Sequence, residues 1–215
     1  MDIKTVSCGP VKSNCYIVSS GKTAAVIDPG FLEPELESYI SSEQFSVEYI
    51  LLTHRHFDHI LAAAKLREIT SAKIAISAED ECGLYCDGDN LTDICCGAYG
   101  HSKGDERADI ILSDGDIINA GDMSFKCIAT PGHSAGGMCF LLKNCLFSGD
   151  TLFAGTAGRT DLPGGSIDEL MKSLKRLSKL DPETEVYPGH GRMTTIGFEL
   201  QNNPFLEEYN DNLHK

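Results

Sequence analysis

The chain has 215 residues, of which 41% are hydrophobic and 23% are charged, a composition typical of folded globular proteins. Its 18 basic and 32 acidic residues give a formal net charge of -14, which argues against a nucleic-acid partner because such proteins present basic surfaces. No Pro/Ser-rich linker or low-complexity tract divides the sequence, so we predict a single domain over residues 1–215.

The chain begins with short apolar runs separated by turn residues. Residues 1–8 lack the basic segment and apolar core of a secretory signal, and no later stretch approaches the roughly 20 apolar residues of a membrane helix. We therefore expect a cytoplasmic protein that makes no membrane contact. Apolar runs and turn residues predict strands at 14–18, 24–27 and 49–52, a turn at 28–30, and a helix at 34–40.

The third predicted strand leads directly into the hexapeptide His54-Arg55-His56-Phe57-Asp58-His59. Neutral imidazole and carboxylate are ligands that suit zinc, iron or manganese. The Asp58–His59 pair points away from the His54/His56 pair, so one ion cannot take all four donors. We predict that two adjacent metal ions share this loop. The alternative is a polar loop that only caps a helix, and the clustering of ligand-type side chains argues against it.

Beyond the hexapeptide, the sequence predicts a helix at 60–69, a strand at 73–77, and an irregular segment with a short helix at 81–109. The irregular segment holds four of the nine cysteines, Cys82, Cys86, Cys95 and Cys96. They could bind a further metal or form a redox disulfide, but no CxxC pair is present, and incidental reduced thiols are the interpretation we favour. Three others, Cys127, Cys139 and Cys145, lie in apolar runs and are predicted to pack as small core residues.

The second half of the chain contains further strands and one strongly amphipathic helix. We predict a strand at 124–129, a hairpin at 138–142 and 145–148, a helix that starts after Ser166, and a last strand at 185–187. Strand-rich halves, each with helices able to cover one sheet face, predict the α/β class. A four-layer α/β/β/α sandwich fits this order better than a parallel doubly wound sheet.

Four residues able to bind metals follow the ends of four predicted strands: His54, His133, Asp150 and His190. Strand ends are rigid platforms that can hold side chains to the tolerance of a metal site. Each residue alone has an ordinary explanation, because Pro-Gly-His is a common turn and Ser-Gly-Asp a common cap. Taken together, they predict one metal centre assembled from distant parts of the chain.

With these residues the chain resembles the metallo-β-lactamase superfamily and, within it, the glyoxalase II (hydroxyacylglutathione hydrolase) branch. The stretches at 148–153 and 158–165 and the sequence Asn203-Pro204-Phe205 strengthen the resemblance. It implies the metallo-β-lactamase fold and two divalent metal ions, zinc in the first place, with iron or manganese as alternatives. It also implies their ligands: His54, His56 and His133 for the first ion, Asp58, His59 and His190 for the second, and Asp150 as the bridge between them.

Two features bear on what the resemblance implies about the substrate, and the first is a departure from the family. Glyoxalase II carries a C-terminal helical domain that contacts glutathione, whereas only residues 191–215 follow His190 here. The chain therefore resembles the short, single-domain type, and glutathione as the thiol carrier is left open. Aspartate, not cysteine, occupies the bridging position, which argues against the β-lactam-hydrolysing branch that uses a thiolate ligand.

The expected reaction is hydrolysis of a small-molecule thioester by a hydroxide that bridges the metals, with an ester or lactone as a related possibility. Two cations lower the pKa of bound water from about 15.7 toward roughly 7, and a thiolate leaves without a strong acid. Asp58 is the candidate catalytic residue, because it can orient the hydroxide as well as bind metal. Arg159 either anchors a substrate carboxylate or forms an ion pair with Asp161.

Two other functions stay open at this level. Persulfide dioxygenases of the superfamily also resemble the chain and use a single iron, which His54, His133 and Asp150 would hold here with positions open for oxygen. A non-catalytic metal-binding module is the third possibility, and the complete set of seven ligands counts against it.

Overall fold

Two six-stranded mixed sheets form the centre of the protein in the computed structural model, which describes residues 1–95 and 106–207. In the first sheet, β1 to β3 are antiparallel and β3 to β6 are parallel. Its strands lie side by side in chain order: β1 (Asp2–Cys8), β2 (Ser13–Ser20), β3 (Thr23–Ile27), β4 (Ser46–Leu51), β5 (Lys73–Ser77) and β6 (Ile110–Leu112).

The second sheet has the order β14-β13-β10-β9-β8-β7, and its one parallel pair is β10 with β13. A two-stranded hairpin, β11 (Leu152–Phe153) with β12 (Thr156–Ala157), lies outside it. The strands of this sheet are β7 (Ile117–Ala120), β8 (Met123–Ala129), β9 (Met138–Leu142), β10 (Cys145–Gly149), β13 (Glu185–Pro188) and β14 (Thr194–Thr195).

Three separate hydrophobic clusters show how the layers stack. The middle cluster lies between the two sheets and includes Tyr16, Phe125 and Phe147. The outer clusters bury the far face of each sheet under helices. The helices are α1 (Pro34–Glu43), α2 (Phe57–Ile60) and α3 (Ala63–Thr70) on the first sheet, and α4 (Ile167–Leu177) and α5 (Ile196–Asn202) on the second. The predicted α/β/β/α sandwich is therefore confirmed, and none of the described helices is long and apolar enough to span a bilayer.

The helix predicted at 60–69 forms as α3 over Ala63–Thr70, and a break separates it from the one-turn helix α2 over Phe57–Ile60. The carbonyl of Asp58, which would accept from Ala62 in a continuous helix, instead accepts from the Ser13 hydroxyl at 2.6 Å. The Ala62 amide donates to the Pro29 carbonyl at 3.0 Å. Contacts from the start of β2 and from the turn after β3 thus end α2 after one turn, within the hexapeptide that carries four of the predicted ligands.

The segment predicted to be irregular contains two 3₁₀ turns in its described part, Glu81–Leu84 and Thr92–Cys95. Cys82 and Cys86 are partly exposed free thiols, whereas the predictions for the Cys95 side chain and for Cys96 lie outside the described residues. The prediction that three other cysteines pack in the core is confirmed, since Cys127, Cys139 and Cys145 are buried.

Candidate metal centre

The two sheets bring seven predicted ligands to one edge of the sandwich. The hexapeptide follows β4 in the first sheet, while the other three ligands follow β8, β10 and β13 in the second. The donor atoms form two triads, each with all its ligand atoms within 4.8 Å of one another. The first triad is His54, His56 and His133, and the second is Asp58, His59 and His190.

The first triad consists of three buried imidazoles from two loops. Nε2 of His133 lies 2.9 Å from Nδ1 of His56. The rings of His54 and His56 meet nearly at right angles, with centroids 4.7 Å apart, so the edge of one ring meets the face of the other. This arrangement leaves ring nitrogens free to share one cation.

The second triad combines a carboxylate with two imidazoles. Oδ2 of Asp58 lies 3.1 Å from Nε2 of His190 and 3.4 Å from Nε2 of His59. Helix α2 supplies Asp58 and His59 from adjacent positions, and the loop after β13 supplies His190. The triad therefore depends on contact between loops of the two sheets.

Asp150 lies between the two triads, as the resemblance implied. Its Oδ2 is 3.4 Å from Nε2 of His133 and 3.7 Å from Nε2 of His190, and its Oδ1 is 3.5 Å from Nε2 of His59. The carboxylate thus contacts both triads, which is the position that a ligand shared by two cations requires.

Unpaired buried atoms test whether these residues fit metal ions. Within the described part of the chain, four buried atoms of the predicted ligands have no hydrogen-bond partner: Nε2 of His54, His56 and His59, and Oδ1 of Asp150. A buried polar atom left unpaired costs about 1–3 kcal/mol, so four at one place need a common explanation. Divalent cations supply it, because imidazole and carboxylate are their ordinary ligands.

Asp28, which the sequence analysis predicts only as part of a turn, is buried and orients rings in both triads. Its Oδ2 accepts from Nδ1 of His59 at 3.0 Å and from the Thr53 hydroxyl at 2.6 Å. The Thr53 hydroxyl donates its proton to Asp28, so its oxygen accepts a hydrogen bond from Nδ1 of His54 at 3.0 Å. Nδ1 of His133 donates in the same way to the Arg159 carbonyl at 2.7 Å. These partners leave Nε2 of all three rings with a lone pair for a metal.

A second buried acid missed by the sequence analysis, Asp80, joins the loops of His56 and His133. It accepts from the Arg55 amide at 3.1 Å, the Ser134 hydroxyl at 2.5 Å and the Gly136 amide at 3.0 Å. Burial raises the pKa of Asp80 despite these donors and the nearby Arg55 guanidinium. Both acids follow the carboxyl ends of strands, β3 and β5, and that position was the available signal in the sequence.

The two triads differ in their electrostatics. Burial and neighbouring histidines lower the pKa of His54 and bring that of His56 to about 3, so both rings are neutral near pH 7. In the second triad burial opposes ionisation, but His59 and His190 hold the pKa of Asp58 well below its usual range. Asp58 and Asp150 in turn raise the pKa of His59 against its burial. The first triad therefore offers neutral donors and the second a charged carboxylate.

Glycine at position 189 allows the two sides of the site to approach. A Cβ there would lie 2.1 Å from Oδ1 of Asp150 and 2.8 Å from Cε1 of His59. Any side chain would push the loop of His190 away from the bridging carboxylate.

A cleft of about 300 Å³ opens beside the two triads. Arg159 is among its lining residues, and its guanidinium forms two hydrogen bonds of 2.7 Å with the carboxylate of Asp161. Of the two roles considered for Arg159, the ion pair is therefore present in the structure. Apart from metal ligands and Arg159, the lining is apolar: Val11, Phe57, Leu91 and Leu162.

Comparison with known proteins agrees with this geometry. The family model of the metallo-beta-lactamase superfamily matches residues 8–190. The chain is 32% identical over 216 residues to the hydroxyacylglutathione hydrolase GloC of Haemophilus influenzae, covering 96% of this chain and 98% of that protein.

Solved structures extend the comparison. BLEG-1, described as a B3 metallo-beta-lactamase, superimposes with a TM-score of 0.89 at 34% identity over 95% of this chain and 99% of its own. TTHA1623 in a di-iron-bound form gives 0.82 at 39% identity, covering 94% and 100%. ETHE1 from Myxococcus xanthus gives 0.76 at 27% identity, covering 100% and 92%.

Proposed function

The chain belongs to the metallo-β-lactamase superfamily, and from this premise we propose that it hydrolyses small thioesters of the hydroxyacylglutathione type with two divalent metal ions. The observation that carries the proposal is the pair of triads joined by Asp150, whose carboxylate oxygens lie within 3.4–3.7 Å of three histidine nitrogens. The similarity to GloC, a hydroxyacylglutathione hydrolase, supports the substrate class.

We assign the predicted ligands to two ions. His54, His56 and His133 would hold the first, and Asp58, His59 and His190 the second, with Asp150 shared. Zinc is the favoured metal, and iron is supported by the di-iron form of TTHA1623. When bound, the ions supply a water activated near neutral pH and a Lewis acid for the carbonyl oxygen.

The chain's own residues orient the reactants. Asp58 stays ionised because His59 and His190 depress its pKa, so its carboxylate can accept a proton of the attacking water as a hydrogen bond. The apolar wall of Phe57, Leu91 and Leu162 excludes bulk water from one side of the cleft. Arg159 would hold a carboxylate of the substrate at the rim, and Asp161 would compete for the same guanidinium.

The direct test uses freshly purified protein with its metal content measured. We expect hydrolysis of S-lactoylglutathione or of an acyl-coenzyme A ester, lost on exhaustive chelation and restored by zinc or iron. An oxygen ester, a lactone and a chromogenic β-lactam belong in the same panel, the last because of the similarity to BLEG-1. Thioester cleavage that survives chelation, or cleavage of the β-lactam alone, would refute the proposal.

The similarity to ETHE1 supports one competing function, an iron-dependent persulfide dioxygenase. That reaction needs a single iron on His54, His133 and Asp150, whereas the second triad offers a further set of ligands. Protein purified without oxygen separates the two: two metal equivalents with thioester cleavage support the hydrolase, and one iron with thiol-dependent oxygen uptake supports the dioxygenase. Turnover in either assay would eliminate a purely metal-binding role.

A further inference from the structure

The start of β2 contacts both loops that supply the second triad. The Ser13 hydroxyl donates to the carbonyl of Asp58 at 2.6 Å, and the Ser13 backbone forms an isolated antiparallel bridge with His190. Ser13 is fully buried. One residue of the first sheet therefore touches the backbone of two ligands that lie 132 positions apart in the sequence (from 58 to 190).

The next residues of β2 hold the loop of His190 on both sides. The Asn14 side-chain amide donates to the carbonyls of Pro188 at 3.0 Å and Gly191 at 2.9 Å. Its backbone amide donates to the Gly189 carbonyl at 2.7 Å. The Tyr16 hydroxyl donates to the Pro188 carbonyl at 2.6 Å. Four bonds thus fix the peptides around His190.

His190 needs this support more than the other histidine ligands do. Its side chain is 31% exposed, whereas those of His59 and His133 are 0% and 6% exposed. Nδ1 of His54, His59 and His133 each meets an oxygen partner, but within residues 1–95 and 106–207 no such partner meets Nδ1 of His190. The orientation of this ring therefore depends on its backbone.

We infer that Ser13, Asn14 and Tyr16, together the β2 clamp, are positioning residues for the second metal ion. The inference rests on the proposed two-ion function. The described hydrogen bonds of the clamp reach Asp58 and the residues around His190, which belong to the second triad. The first triad is held by other groups: Thr53, the Arg159 carbonyl and Asp80. Loss of the clamp should therefore weaken the second ion selectively. Substitutions of residues that orient metal ligands typically cost 10–100-fold in metal affinity.

The test compares Ser13→Ala with Ser77→Ala, a matched control. Ser77 is also buried and its hydroxyl also donates to a backbone carbonyl at 2.6 Å, that of Gly136, away from the second triad. Metal-free full-length protein is titrated with zinc against a chromophoric chelator, which gives an affinity for each ion. We expect S13A and N14A to lose about 10–100-fold in affinity for the second ion and far less for the first. Because Gly136 lies in the loop of His133, S77A should keep wild-type affinity for the second ion, and any loss should fall on the first.

Folding is measured in parallel by thermal melting of the metal-free variants. If N14A does not fold, S13A and Y16F decide the question, because Y16F removes one hydroxyl and keeps the ring. The clamp is refuted if folded S13A and Y16F bind two ions as wild type does, or lose both ions in parallel.

If wild type binds two ions and cleaves no thioester, the proposed function fails and the clamp stands. If wild type binds only one ion, both fail.

Discussion

Nδ1 of His59 in α2 donates to Oδ2 of Asp28 across 3.0 Å, although the two residues lie 31 positions apart in the chain. The same buried carboxylate accepts two bonds from Thr53, whose hydroxyl in turn orients His54. One acid therefore sets the ring orientation of a ligand in each triad. Because the Nδ1 atoms of these rings are bonded to Asp28 and Thr53, Nε2 of each ring is directed toward the metal position.

Replacing Asp28 with asparagine tests this relationship. Asp28 has a φ of 51°, a conformation that asparagine tolerates, so the backbone should be preserved. The amide provides one acceptor oxygen where the carboxylate provides two, and we expect metal affinity to fall about 10–100-fold. Competition titration with a chelator measures the change, with Asp122→Asn as an exposed control. Unchanged affinity for both ions would contradict an orienting role for Asp28.

The sequence predicted the seven ligands because their chemistry is concentrated in one hexapeptide and in three strand ends. It did not predict Asp28, because its partners depend on pairing between strands. β3 and β4 run parallel with Ile27 opposite Leu51, and this register places Asp28 beside Thr53. No periodic pattern in either segment encodes that register.

The break between α2 and α3 was hidden for a similar reason. Residues 60–69 are good helix formers, and local propensity predicts one continuous helix. Tertiary contacts interrupt this helix, because the Ser13 hydroxyl donates to the Asp58 carbonyl and the Ala62 amide donates to the Pro29 carbonyl. The element most affected is the turn that presents Asp58 and His59 to the metal.

Gly189→Ala should damage the site through crowding alone. The added methyl group would start 2.1 Å from Oδ1 of Asp150, and the backbone of Gly189 is not in the left-handed region. Such overpacking costs about 1–3 kcal/mol of stability, and the displaced loop carries His190. We expect less bound metal per chain by elemental analysis and a lower melting temperature. Gly88→Ala is the control, because a Cβ there meets its nearest atom at 3.5 Å.

Asp80→Asn should destabilise the metal-free protein by about 1–3 kcal/mol, because the amide nitrogen of the variant would face the Arg55 amide and the Ser134 hydroxyl, which both donate to Oδ2 of Asp80. Urea unfolding measures this loss. A variant as stable as wild type at every pH would show that the loops do not depend on this acid.

The same variant carries a pH signature. Burial raises the folded-state pKa of Asp80 above 3.8, so its titration contributes stability that is complete below pH 3.8 and is lost as pH rises through the folded value. The amide of the variant does not titrate. We therefore expect the deficit of D80N to be largest below pH 3.8 and to shrink as pH rises through the folded-state pKa of Asp80. A deficit that grows with pH would contradict the raised pKa.

The ion pair of Arg159 and Asp161 gives opposite predictions for its two members. Arg159→Gln removes the one arginine or lysine that lines the cleft in the described part of the chain, so KM for thioesters bearing a free carboxylate should rise about tenfold. Asp161→Asn frees the guanidinium from its two bonds of 2.7 Å, so the same KM should fall. The exposed pair Arg176–Asp114, at 2.6 Å and outside the cleft, provides matched charge controls as R176Q and D114N. If the cleft variants shift KM no more than these controls do, the ion pair is structural and Arg159 does not bind the substrate.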